Sequence, residues 1–85
     1  MAKTRSFEHP EDVLAQWLDW DRQGGAALAA ITHTEGGAVR AVGALMAVSR
    51  AGETAGYVSG GCIDADVALN AVRALETGRA AHLRY

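Results

Sequence analysis

The stretch Tyr57-Val58-Ser59-Gly60-Gly61-Cys62-Ile63-Asp64 decides how this chain is read, because a strand pattern ends in it and a helical pattern begins. Tyr57 and Val58 close an aromatic, β-branched run, Ser59-Gly60-Gly61 breaks it, and the only cysteine stands where the helix starts. That order is a strand-to-helix turn with one thiol at its mouth. The first amides of a helix are unpaired and lie at the positive end of its dipole, so they attract anions and favour thiolate over thiol. A double glycine lets a large ligand approach the main chain with no Cβ in the way. Two readings follow. One is an anion or cofactor site with a reactive sulfur; the other is a glycine turn followed by a small buried residue, free cysteine being among the most buried types.

Downstream, the pattern predicts a helix from Cys62 to Thr77 with Gly78 as its C-terminal stop. Asp66, Asn70, Arg73, Glu76 and Thr77 share a narrow polar stripe, while Ile63, Ala65, Val67, Ala68, Ala71, Val72, Ala74 and Leu75 fill a wide apolar arc. That arc is broader than one sheet face needs, which points to a second packing surface. Asp64 lies within it, either as a complement to the helix dipole or as a site residue facing the thiol's pocket.

Upstream, Thr54–Val58 reads as a strand paired with Ala41–Ser49 through the turn Arg50-Ala51-Gly52-Glu53, where Gly52 is expected at positive φ. Glu35–Arg40 is a glycine-rich loop, and Ala26–His33 is a short apolar strand. Before it, Pro10 suits a first helical position, with Glu11 and Asp12 complementing the dipole. Val13, Leu14, Trp17, Leu18 and Trp20 form the apolar arc of this first helix, its tryptophans read as core anchors, and Gly24-Gly25 ends it. Residues 1–8 are a loose polar segment and 9–85 a single domain. Ala80–Tyr85 alternates like a last strand. The expected fold is α/β: a small three- or four-stranded sheet with two packed helices, in the order α-β-β-β-α-β.

Bulk properties narrow the function. At 85 residues the chain buries only roughly 60–65% of its unfolded surface, so a partner subunit would add much. A net charge of −2 with no basic stripe argues against nucleic acid. One cysteine cannot form an internal disulfide, which fits a reducing compartment. Phe7, Glu8 and His9 follow the basic first residues where a signal peptide has its apolar core, and the uncharged run Gly24–Thr34 is too short to cross a bilayer. The expectation is a cytoplasmic protein with no membrane contact. No Cys or His pair has metal-ligand spacing. His33 and His82 read as structural, and a Cys62–His33 nucleophile pair lacks a third, orienting residue. Neither Gly24-Gly25 nor Gly36-Gly37 matches a dinucleotide fingerprint or a P-loop.

Several segments in order resemble a known family: Trp17 with Gly24-Gly25, the strand Ala27–Thr34, the loop Gly36-Gly37-Ala38-Val39-Arg40-Ala41-Val42-Gly43-Ala44, the turn at Gly52, and Gly56–Asp64. Over residues 12–85 they look like the N-terminal domain of the XdhC/CoxI family, accessory factors of xanthine dehydrogenase and carbon monoxide dehydrogenase. The most specific element is Ser59-Gly60-Gly61-Cys62 followed by a hydrophobic residue and an acid. The resemblance implies transient binding of the molybdenum cofactor (molybdopterin), its protection while its terminal sulfur is installed, and its insertion into a molybdenum hydroxylase. It makes Cys62 the cofactor-contacting thiol beside Ser59, Gly60 and Gly61, and Arg40 a phosphate or pterin contact. Asp64 stands where the family usually has glutamate. The family's loop commonly reads Gly-Ser-Ala-Pro-Arg, so Gly36-Gly37-Ala38-Val39-Arg40 loses a hydroxyl and a fixed φ. Relatives continue into a second glycine–cysteine segment and a Rossmann-like domain, so the resemblance leaves two expectations open: a split half with a separate Rossmann-like partner, or a stand-alone descendant with a narrowed role. A cysteine desulfurase is a further implied partner.

The functional expectation is therefore a cofactor-binding accessory or chaperone module for a molybdenum hydroxylase, not an enzyme, and a homo-oligomer. Two alternatives stay open: a thiol enzyme or carrier using Cys62, and a structural interaction domain for a separate Rossmann-like half.

Overall fold

The computed structural model of the chain describes residues 4–5, 9–34, 40–59 and 63–85. Its elements in order are β1 (Thr4–Arg5), α1 (Pro10–Arg22), β2 (Ala26–Ala30), β3 (Leu45–Ser49), β4 (Thr54–Gly56) and α2 (Asp64–Thr77). The sheet order is β1-β4-β3-β2. β2, β3 and β4 are antiparallel neighbours, and the two-residue β1 lies parallel to β4. The α/β class, the two helices and the small sheet stand as the sequence predicts. The order differs at both ends: β1 precedes α1, and residues 79–85 form no strand.

α1 begins where Pro10 places it. His9 is extended at φ −91°, ψ 129°, and its carbonyl accepts from the Asp12 and Val13 N–H groups at 3.0 and 3.3 Å. The helix closes at Arg22, and the Gly25 N–H returns to the Asp21 carbonyl at 3.0 Å. Arg50, from the β3–β4 turn, donates Nε to the Gly24 carbonyl at 2.7 Å and so pins this corner to the far hairpin.

Two glycines shape the ladder in the same way. At the β3–β4 turn the Gly52 N–H bonds the Ser49 carbonyl and the Ser49 N–H bonds the Glu53 carbonyl, both at 2.9 Å, with Gly52 at φ +91° as expected. At the other end of β3 the Gly43 N–H bonds the Ile31 carbonyl at 2.9 Å and the Ile31 N–H bonds the Ala44 carbonyl at 3.1 Å, with Gly43 at φ +95°. Each is a bulge with a positive-φ glycine in its first position. The second one corrects the reading of Ala41–Ser49 as one strand: the Ala44 N–H bonds the Ala41 carbonyl in a turn, and the strand starts only at Leu45. β2 likewise ends at Ala30 rather than His33. β4 ends at Gly56, whose φ of +78° leaves the strand region.

Because side chains alternate across a strand, β3 buries both faces. Leu45 and Ala47 meet Val13, Trp17, Trp20, Ala26 and Ala55 on one side; Met46 and Val48 meet Val58 and Val67 on the other, with Ile31, Ile63, Ala68, Ala71 and Val72 around them. The sheet is thus sandwiched between α1 and α2. The tryptophans are core anchors as predicted: Trp20 is buried, and Trp17 donates Nε1 to the Ala26 carbonyl at 3.0 Å. Leu14 and Leu18, predicted on the same apolar arc, stay exposed on its flank. α2 starts at Asp64 with Ile63 as its cap, and ends with Gly78 in the left-handed region at φ 70°. Leu69 on α2 is exposed, so part of this helix's apolar surface is not covered by the described elements.

Candidate functional site

Val58 and Ser59 lead out of the sheet fully covered, at 5% and 3% exposure, into the turn that α2 continues. Three hydrogen bonds close the base of that turn. Asp64 Oδ1 accepts from the Val58 N–H at 2.9 Å and from the Ser59 N–H at 3.0 Å, and Ser59 Oγ accepts from the Ile63 N–H at 3.4 Å. A carboxylate in the first turn of a helix also complements its dipole. The described contacts of Asp64 are those of a clamp on the turn. Two buried strand-end amides that have left the ladder find their acceptor in it.

Arg40 reaches the same strand end from the other loop. Its N–H bonds the Val58 carbonyl at 3.0 Å, Nη1 bonds the Tyr57 carbonyl at 3.3 Å, and its guanidinium lies over the Tyr57 ring, 4.6 Å from the centroid. A guanidinium over an aromatic face is attracted by the ring quadrupole and held in a defined plane. The structure thus brings together Ser59, Arg40 and Asp64. Gly60, Gly61 and Cys62 lie outside the described residues, as does most of the loop preceding Arg40. Tyr57 was not foreseen as the shelf for Arg40. Its only sequence signal is an aromatic ring two residues before Ser59.

Other candidates stand apart. His33 is exposed beyond the end of β2, and His82 is exposed after α2. Among the described residues no group of three or more His, Cys, Asp or Glu could hold a metal ion. A broad open depression lies along Asp12, Ala15, Gln16 and Asp19. It runs over the outward side of α1, away from the clamped turn. Tyr85 bonds Asp66 through its hydroxyl. That bond, with smaller contributions from desolvation and from the carboxylate's charge, pushes the phenol up to about 12. No described helix is long and apolar enough to cross a membrane.

A sheet between two helices, with Val58 and Ser59 bonded to Asp64 at the start of the second helix and Arg40 laid beside them, defines a small α/β domain. Residues 19–85 match the XdhC and CoxI family, and the chain belongs to it. Over 61 residues it is 41% identical to the molybdenum cofactor insertion chaperone PaoD of Escherichia coli (strain K12), a match covering 72% of this chain and 19% of PaoD. The chain thus spans about a fifth of the length of that curated relative. No solved structure matches it.

Proposed function

We propose that this chain is the cargo-facing module of a molybdenum cofactor insertion chaperone, an accessory protein rather than an enzyme. The observation that carries the reading is the pair of backbone bonds to Asp64, which spends a carboxylate on fixing the base of the Ser59–Ile63 turn. Family membership and the likeness to PaoD support it. In this reading Gly60 and Gly61 give the cargo access to main-chain amides, and Cys62 presents a soft sulfur ligand at the helix start. Ser59 contributes the turn's anchor. Arg40, steadied on Tyr57, meets the cargo's phosphate, where a guanidinium forks onto two oxygens. Binding is transient, in the cytoplasm, and the recipient is a molybdenum hydroxylase such as xanthine dehydrogenase. A cysteine desulfurase and a Rossmann-like partner complete the proposed set.

The test is a titration with isolated molybdenum cofactor, read by metal analysis and pterin fluorescence of the protein fraction. Cys62→Ser conserves volume, so binding should fall more than tenfold, above roughly 1.4 kcal/mol, while the melting temperature stays nearly constant. Arg40→Ala should weaken binding by about 1.5–3 kcal/mol, the size of a charge-assisted hydrogen bond. A Cys62→Ser protein that melts several degrees lower yet binds like wild type would make the thiol structural and end this mechanism.

A further inference from the structure

We infer that the free edge of β2 is a docking surface for a second copy of this chain, paired antiparallel about a two-fold axis at Ala30. The hydrogen-bond pattern fixes which groups face that edge. Ile31 turns its N–H and carbonyl toward β3, so by alternation Ala30 and Leu28 turn theirs away from it. Among the described residues these four outward groups have no partner. β2 is the last strand of the sheet.

Natural edge strands are usually guarded by a charge, a proline or a bulge, because a bare ladder recruits another strand. Here the guard is missing. Gly24–Thr34 contains no Asp, Glu, Lys, Arg or Pro, so two copies of the edge meet without charge repulsion. Three partly exposed leucines add apolar surface on the α1 side of the sheet. Leu28 pairs with Ala47 in register and therefore faces the α1 side. On α1, Leu14 and Leu18 occupy the flank next to Trp17, whose indole reaches β2 at Ala26. The three leucines are 40–43% exposed.

Trp17 also selects the register. A two-fold axis at Leu28 would bring Ala30 of the second copy onto the Ala26 carbonyl, where the indole already donates. Moving the axis to Ala30 pairs Ala30 with Ala30 and Leu28 with Thr32, and leaves opposite Ala26 only Thr34, four residues past the end of the strand. The product is one continuous sheet through both copies, with an isologous contact. An interface of one strand and three leucines per copy belongs to the small class, which yields weak, concentration-dependent dimers.

The experiment is sedimentation velocity from low micromolar to a few hundred micromolar, with amide hydrogen exchange at Leu28 and Ala30 over the same range. Wild type should shift to dimer as concentration rises, and both amides should gain protection in parallel. Ala30→Lys places like charges face to face at the axis, and Ala30→Pro removes only an outward N–H. Each should raise the dissociation constant more than about tenfold, with melting of the dilute protein checked for both. Leu69→Lys, on exposed α2, should leave the dimer intact. A wild type monomeric throughout overturns the inference, as does a dimer that survives both Ala30 variants or one lost only through Leu69→Lys. Edge protection independent of concentration and abolished by deleting residues 80–85 would also overturn it, assigning the edge to the chain's own tail.

Discussion

On the α1 face of the sheet, Val13 packs at 1% exposure over Ala47 and Ala55, both at 0%, and approaches Gly56 so closely that no side chain fits there. On the α2 face, Val67 is the one helix residue that is buried among those described, and α2 is tied to the sheet at its start by polar bonds from Val58 and Ser59 to Asp64. The first face gains its stability from close apolar contact and small residues. The second has fewer buried helix residues, and it is the one that leads into the turn. On the proposed reading, the cargo site lies where fewer helix residues are buried and directional bonds hold the geometry.

Gly56→Ala should produce the largest effect and would break the comparison if it did not. An added Cβ would lie 2.5 Å from the Leu45 carbonyl oxygen and 2.9 Å from Val13 Cγ2, at a φ of +78°. Steric strain and the left-handed backbone together should cost about 2–4 kcal/mol in urea unfolding. Wild-type stability in this variant would mean that α1 does not press on β4 as described.

Asp64→Ala should come next, because it strands the Val58 and Ser59 amides and costs about 1–3 kcal/mol. Asp64→Asn keeps an acceptor oxygen and should lose less than half of that. The sharper readout is hydrogen exchange: the Val58 and Ser59 amides should exchange faster while those of β3 stay slow. Equal acceleration of β3 would show that the two faces unfold together and are not separately built.

The smallest effect belongs to Tyr85 and Asp66. The phenol is raised to about 12, so its contribution to stability is present below the ordinary tyrosine value near 10 and is lost as pH rises through 12. Solvent screening at this exposed pair keeps the contribution small. Ultraviolet titration should resolve one tyrosine ionising near 12, and Asp66→Asn should bring it back toward 10. A titration in which no tyrosine ionises near 12 would detach the tail from α2.

Much of this architecture can be read from the chain because the signals are local. Pro10 with two acids, Gly52 in its turn and Gly78 after Thr77 each mark a boundary through the φ they permit or fix. Where the reading fails, the cause is competition from beyond the segment. Ala41-Val42-Gly43-Ala44 has the same composition as the strand it precedes, and only pairing with Ile31 turns Gly43 into a bulge. Leu14 and Leu18 fit the helical arc, yet the sheet accepts only the stripe through Val13, Trp17 and Trp20. Ala80–Tyr85 alternates, but Tyr85 is engaged with α2 and the segment makes no strand. Thr4–Arg5 is too short to give any pattern. At the site, Ser59, Arg40 and Asp64 stand out from motif and charge. The clamp geometry and the Tyr57 shelf arise from contacts between segments and have no local signature.

Both tryptophans of this protein lie on α1, against the sheet face opposite to α2. Indole emission is consequently a gauge of α1 docking alone. Trp20 should shift toward the red when that helix leaves the sheet, with Trp17 losing its bond to Ala26 in the same step. Rearrangement of the clamped turn, on the far side, should leave the spectrum almost unchanged. A fluorescence melt and an exchange experiment on one sample thus watch different halves of the same molecule.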